Sequence, residues 1–271
     1  MALGLVGIGP GLSVFRGEQT GMSTSYGLLC DDFYLNMNVN TQLELPTERD
    51  TILHFFERIQ RQFPAMNTFY QRETGEFCLE EDREAGNYRW VTVERDRVCS
   101  GVVNPGGLEE ADEQHRLILE LAPFTLEVSH LDTDSLDVLF GMDFDCQGNH
   151  DEILAEALFG ESAFARLLEF PGAKPLGYDP SVLIGLSDDC RLQAKVSLES
   201  RTGAYQVRTG KFKEEDQLSL YLSVRQYPDP TKSFSSLESY ANQRRLGEEI
   251  MNDRIIPYFV QPINGAIAQR R

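Results

Sequence analysis

The stretch from Ser135 to Leu158 constrains the fold more than any other part of the chain, because it predicts a strand, a tight turn and a helix in succession. Its first ten residues alternate largely between apolar and polar or small side chains, which is typical of a strand with one buried face. Gly148 permits a sharp turn, and Asn149 followed by Glu152 fits a helix start with a capping box. An apolar helical stripe follows.

Similar element orders precede and follow this stretch. The elements predicted before it are a strand within 35–45, a helix capped by Thr47, a meander of up to four short strands within 69–103, and a helix over 108–121 that ends before Pro123. The elements predicted after it begin with a helical piece over 162–170 that uses Phe164, Leu167 and Leu168 as its apolar residues. Strands over 182–186, 192–198, 205–208 and 218–224 follow, and then a long helix from Ser235 to about Ile256.

We therefore predict an α+β fold, with an antiparallel sheet and helices on one face, built from two pseudo-repeated β-α-β(4)-α halves. The halves span residues 22–133 and 134–271. This element order is similar to the duplicated fold of the TATA-binding protein family, in topology alone, and it transfers no function or residue role. A single helix-grip sheet around the C-terminal helix is the alternative architecture.

Residues 1–21 differ from the rest of the chain. They are rich in glycine and lack both the G-x-G-x-x-G spacing of a dinucleotide loop and the basic start of a secretory signal. We expect this segment to be a loose N-terminal arm or an upstream mis-start, with Met22 as the natural first residue.

The charge of the chain limits the partners that it can take. The sequence has 43 acidic and 25 basic residues, which gives a net charge of −18. Such a surface repels the phosphates of nucleic acids and anionic membranes, which bind proteins through Lys and Arg. No apolar run approaches the roughly 20 residues that a membrane span needs. A protein partner is therefore expected, and neither nucleic acid nor membrane.

The five cysteines, at positions 30, 78, 99, 146 and 190, have neither the even number of a disulfide framework nor the spacing of a zinc site. We expect most of them to be small buried residues of a protein in a reducing compartment, the cytoplasm.

Three asparagines form a candidate recognition surface. Asn36, Asn38 and Asn40 alternate with apolar residues along the most regular strand pattern of the chain, so they share one face of that strand. Because an amide both donates and accepts hydrogen bonds, such a row is able to recognise a polar ligand or a protein partner. An ordinary solvated sheet face is the other interpretation.

The turn at 143–152 holds the densest set of potential metal ligands. We take Asp143, Asp145, His150 and Asp151 as candidate ligands for a divalent metal. The spacing begins like a calcium loop, but Leu154 stands where that loop needs a bidentate Glu. The competing interpretation is that these acids solvate a strand edge and favour a helix N-terminus.

No catalytic motif of a hydrolase, zinc protease or P-loop enzyme is present in the sequence, and the four histidines are dispersed. His115 lies between Glu113 and Glu120 and is expected to be solvated. We therefore assign no catalytic residue and expect a non-catalytic protein-binding or scaffold module. A metal-assisted hydrolase that uses the acidic turn is the alternative. The oligomeric state does not follow from the sequence.

Overall fold

A computed structural model describes residues 26–213 and 215–270. The predicted arm at 1–21 lies outside the described residues. The described chain forms one antiparallel sheet of nine strands together with helices, which confirms the predicted α+β class. No helix among the described residues has the length and apolar character needed to cross a membrane.

The strands are β1 (Asp32–Thr41), β2 (Thr68–Gln71), β3 (Phe77–Glu80), β4 (Tyr88–Val93), β5 (Arg97–Val103), β6 (Thr133–Phe144), β7 (Ser181–Gly185), β8 (Leu192–Glu199) and β9 (Leu218–Gln226). Their order across the sheet is β2-β3-β4-β5-β1-β6-β9-β8-β7. The first strand of each predicted half, β1 and β6, thus pair with each other at the centre, and β2 and β7 form the two edges.

The helices are α1 (Arg49–Gln62), α2 (Leu108–Thr125), α3 (His150–Phe159), α4 (Ala204–Thr209), α5 (Ser236–Ile250) and α6 (Gln261–Ala268). A π-helical segment, Met251–Val260, joins α5 to α6, and a 3₁₀ segment, Ala163–Glu169, follows α3. Helices α2 and α5 lie directly against the central strands, while α1 packs on α2 and α3 packs on α6.

Alternation along the strands gives the sheet two different faces. In β1, Phe33, Leu35, Met37 and Val39 are buried in the core that also contains the helices, and the residues between them are partly exposed. We call the face that these intervening residues share the open face. In the core, the ring of Phe140 occupies the space beside Gly247 of α5, where a Cβ atom would collide with it. The missing side chain therefore lets α5 approach the sheet closely.

The connection between β8 and β9 differs from the prediction. Residues 205–208 were expected as a strand, but they belong to α4, which ends at Gly210 in a left-handed conformation. This local i-to-i+4 hydrogen bonding replaces strand pairing, so the second half contributes four strands and the first half five. The meander predicted within 69–103 is confirmed as the four strands β2–β5.

Two helices continue past prolines that were expected to end them. Helix α2 includes Pro123 in its last turn, where the chain continues with a hydrogen bond from the Leu126 N–H to the Ala122 carbonyl. The C-terminal helix passes Pro257 inside the π-helical segment. A π-turn shifts the hydrogen bonding by one residue, which accommodates a residue without an N–H.

Other local predictions were also wrong. The strand expected within 35–45 ends at Thr41, and α1 is preceded by Glu48 rather than capped by Thr47. Phe164 and Leu167 are 58% and 62% exposed, because the 3₁₀ segment that carries them does not turn them into the core.

Candidate functional site

The open face carries the three asparagines that the sequence singled out. Asn36, Asn38 and Asn40 lie on β1 at every second position, and each is partly exposed. Since β1 is a central strand, this amide row is flanked by β5 on one side and β6 on the other.

The first of these amides lies in a small recess of the sheet. Asn36 is in register with Gly101 of β5, and the ring of Trp90 and the Asn36 Oδ1 atom both occupy the space that a side chain at Gly101 would need. The Asn36 Oδ1 atom is buried and has no hydrogen-bond partner among the described residues. The recess is thus shaped by a glycine, an indole and an amide.

The last of these amides joins a polar cluster. Asn40 donates to the Ser135 Oγ atom at 3.0 Å and to the Asp137 carboxylate at 3.2 Å. Asp137 also accepts two hydrogen bonds from Arg225 of β9, both at 2.6 Å. This pairing raises the pKa of Arg225. The bidentate pair neutralises the two charges nearest to the amide row.

Aromatic side chains surround the amides. The ring of Tyr34 lies over Gly141 of β6, as Trp90 lies over Gly101, and its centroid is 6.4 Å from that of Tyr221 on β9. All three rings are partly exposed. An aromatic ring that covers a glycine of the neighbouring strand keeps a sheet surface closed where the glycine offers no side chain.

Asp143 lies next to these rings at the end of β6. Its carboxylate is 3.4 Å from the Tyr34 hydroxyl, and burial raises its pKa. Arg201 donates to the Ser219 hydroxyl at 3.0 Å and to the Tyr221 hydroxyl at 2.9 Å. The open face therefore ends in a corner that combines hydroxyl groups with the Asp143 carboxylate and the Arg201 guanidinium.

Asp145 holds the turn that follows β6. Its carboxylate accepts from Gln217 at 2.8 Å, and its backbone N–H donates to Asp31 at 2.7 Å. These contacts tie the turn to the residues that precede β9 and β1.

His150 and Asp151 are buried at the start of α3, where Asn149 caps the helix as predicted by accepting from the Asp151 N–H at 3.1 Å. The two ring nitrogens of His150 face the backbone carbonyls of Cys146, at 3.0 Å, and Ser200. The Asp151 carboxylate accepts from the Tyr178 N–H at 2.8 Å and from Thr202 at 3.3 Å. Both side chains thus fix α3 to the loops beside β7 and β8.

Asp143, Asp145, His150 and Asp151 are therefore not assembled into one metal-binding group. Within residues 26–213 and 215–270, no three His, Cys, Asp or Glu side chains are placed to hold a metal ion. Metal-assisted hydrolysis stays a prediction, which calorimetric titration with Ca²⁺, Mg²⁺, Mn²⁺ and Zn²⁺ tests directly.

Comparison with known proteins adds no functional assignment. No protein-family model matches the chain, and a search of curated proteins gives no match.

Sequence reasoning missed the aromatic part of the open face. The sequence does contain this information. Tyr34 is an even-numbered residue of β1, like the three asparagines, and so lies on the same face of the strand. Tyr221 and Arg225 alternate with the buried leucines of β9. The strand order was needed to place β4 and β9 beside this row.

Proposed function

We propose that this protein is a non-catalytic protein-binding module that binds its partner across the open face. The observation that supports this most is the row of three amides on a central strand, bordered by the partly exposed rings of Tyr34, Trp90 and Tyr221.

The side chains of this face suit protein recognition. Tyr, Trp and Arg are enriched among the residues that contribute most to binding at protein interfaces. Their rings provide large apolar contact areas, while the Asn amides and Tyr hydroxyls supply hydrogen bonds in both directions.

The charge distribution favours a protein over other partners. Arg225 and Asp137 form a pair, so the centre of the face is nearly neutral although the chain has a net charge of −18. Nucleic acid is not the proposed partner, because its phosphates would meet a strongly acidic protein. None of the five cysteines forms a disulfide in the described chain, and this favours a cytoplasmic location.

The proposal is tested by replacing Asn36, Asn38 and Asn40 together by Ala and comparing affinity capture from the cells that produce the protein. Loss of these contacts is expected to reduce capture of the partner by about tenfold or more, which corresponds to about 1.4 kcal/mol. Thermal unfolding checks that the variant remains folded.

A matched control replaces three exposed amides on the helices, Gln62, Asn242 and Gln261, by Ala. This control is expected to capture the partner as the wild type does. Equal capture by both triple variants would exclude the open face, and the absence of any partner enriched by the wild type would contradict the proposed function.

A further inference from the structure

The edge strand β7 is unlike the rest of the sheet because apolar side chains are exposed on both of its sides. Val182, Leu183 and Ile184 are 60%, 61% and 49% exposed. The strand contains neither a charged residue nor a proline, which are common means by which proteins protect a sheet edge. No strand of the described chain pairs with its outer side.

The hydrogen-bonding direction of each β7 residue follows from its pairing with β8. The Leu198 N–H donates to the Pro180 carbonyl at 3.1 Å, and the Leu186 N–H donates to the Leu192 carbonyl at 2.7 Å. Because inward and outward groups alternate along an antiparallel strand, Val182 and Ile184 also bond towards β8. Ser181, Leu183 and Gly185 therefore direct their N–H and C=O groups outward.

We propose that a second copy of this chain occupies the outer side of β7, paired antiparallel about a twofold axis at Leu183. The axis places Leu183 of one copy opposite Leu183 of the other, with Ser181 opposite Gly185 on either side. These three pairs form six backbone hydrogen bonds, since each outward-facing residue both donates and accepts. The proposal is independent of partner binding on the open face.

The side chains fit this register. On the helix-covered side, Val182 of each copy meets Ile184 of the other, and two β-branched side chains pack well across an antiparallel pair. On the open side, the two Leu183 side chains meet at the axis. Ser181 and Gly185 are small, so their own side chains do not obstruct pairing at the ends of the segment. A sequence that matches itself in this way is what an isologous interface requires.

The local charge also permits two copies to approach here. Residues 171–213 contain seven basic and four acidic residues, a net charge of +3, although the whole chain carries −18. Residues 68–94, which include the opposite edge β2, contain three basic and seven acidic residues, a net charge of −4. Self-association through β7 therefore avoids acid-to-acid repulsion but brings two regions of net charge +3 together, so screening by added salt is expected to strengthen the dimer.

The expected dimer is weak. A five-residue strand pair is smaller than a standard interface of about 1,600 Å², which places it among weak and transient contacts. We expect a dissociation constant on the order of 10 μM.

Sedimentation velocity of the purified full chain between about 1 and about 100 μM tests the proposal. The wild type is expected to shift from monomer to dimer with concentration. Leu183→Pro removes the outward N–H without removing a bond to β8, because proline is tolerated at solvent-facing positions of edge strands, and it is expected to stay monomeric. Leu183→Val keeps both the N–H and an apolar side chain and is expected to dimerise.

A cysteine scan tests the register without relying on the proline variant. In a Cys190→Ser background, Leu183→Cys is expected to form a disulfide between copies on mild oxidation, because hydrogen-bonded pairs place Cα atoms about 5.5 Å apart. Ser181→Cys faces Gly185 rather than itself and is expected to remain a thiol.

A wild-type monomer at about 100 μM, a proline variant that dimerises like the wild type, or assemblies that grow beyond a dimer would each overturn the twofold pairing. None of these results tests partner binding by the open face. The amide variants test that binding separately.

Discussion

The two faces of the central strand β6 are built for different tasks. Phe140 and Leu139 are neighbours in sequence, but Phe140 is fully buried against α5 while Leu139 is partly exposed on the open face beside Asn36. The helix-covered face holds the fold together by apolar packing. On the open face, rings lie over glycines and charges are paired, and none of the described helices covers it. The difference is consistent with the proposed binding of a partner on the open face.

The helix-covered face is not purely apolar, however. His115 of α2 is fully buried, with its Nε2 atom 3.2 Å from the Leu35 carbonyl and its Nδ1 atom 3.0 Å from the Ser100 hydroxyl. Since a carbonyl only accepts, Nε2 carries the proton and Nδ1 accepts from Ser100, which accepts in turn from Gln114 at 2.8 Å. This chain of hydrogen bonds fixes α2 on the sheet with a neutral imidazole.

The largest contrast between the faces is expected from paired truncations on β6. Phe140→Ala should lower the free energy of unfolding by about 3–5 kcal/mol, because it leaves a cavity in the core. Leu139→Ala should lower it by about 1 kcal/mol or less, since the side chain is partly exposed. Urea unfolding of both variants measures the two values, and equal losses would contradict the division of the sheet into a structural and an open face.

The next effect is a pH dependence that arises from a histidine on the covered face. Burial lowers the pKa of His115 to about 3, whereas an unfolded histidine has a pKa of about 6.5. Between these values the unfolded state binds a proton that the folded state does not, so stability falls as the pH drops below about 6.5.

Unfolding at pH 7.5 and pH 5 measures this effect. Wild type should lose about 2 kcal/mol more than His115→Gln between the two conditions, from a slope of about 1.4 kcal/mol per pH unit. Both proteins contain the same carboxylates, so the contribution of the carboxylates to the pH dependence cancels when the two losses are subtracted. Identical losses would show that His115 is accessible to protons in the folded state.

An effect of similar size is expected on the open face, which also contributes to stability. Gly141→Ala should cost about 1–3 kcal/mol, because the new methyl group displaces the ring of Tyr34. The same substitution in a Tyr34→Ala background should cost much less, and a double-mutant cycle measures the coupling. Additive costs would show that the ring does not depend on the glycine.

The periodicity of the sequence was enough to predict the strands, but it did not predict which side chains and helices pack on them. The strand patterns around β1, β6 and β9 give both the buried set and the open set, because period two follows from strand geometry itself. His115 was expected in solvent because acids flank it, yet its partner Ser100 lies on another strand and cannot be found from local sequence. Residues 205–208 were misassigned because a short β-branched and aromatic run fits either a strand or one helical turn.

The candidate surfaces were predictable to different degrees. That Asn36, Asn38 and Asn40 share one face of a strand follows from the sequence. The aromatic rings beside them could be placed only once the order of the strands was known. That β7 is an edge also depends on the strand order, although its apolar run was recognised as a strand. The internal duplication stays a prediction. Two glutamines occupy similar places in the two predicted halves. Gln114 lies in α2, the last helix of the first half, and Gln243 lies in α5, the first α-helix after β9. Both donate to backbone carbonyls of strands.

Site-specific photo-crosslinking tests the availability of the open face most directly. A benzophenone amino acid is placed at Asn38, in the centre of the amide row, or at Gln62, an exposed position on α1, in the full chain within the cells that produce it. The account predicts a discrete protein adduct from position 38 and none from position 62. The absence of an adduct at position 38, or the same adducts from both positions, would contradict the open face as the binding surface.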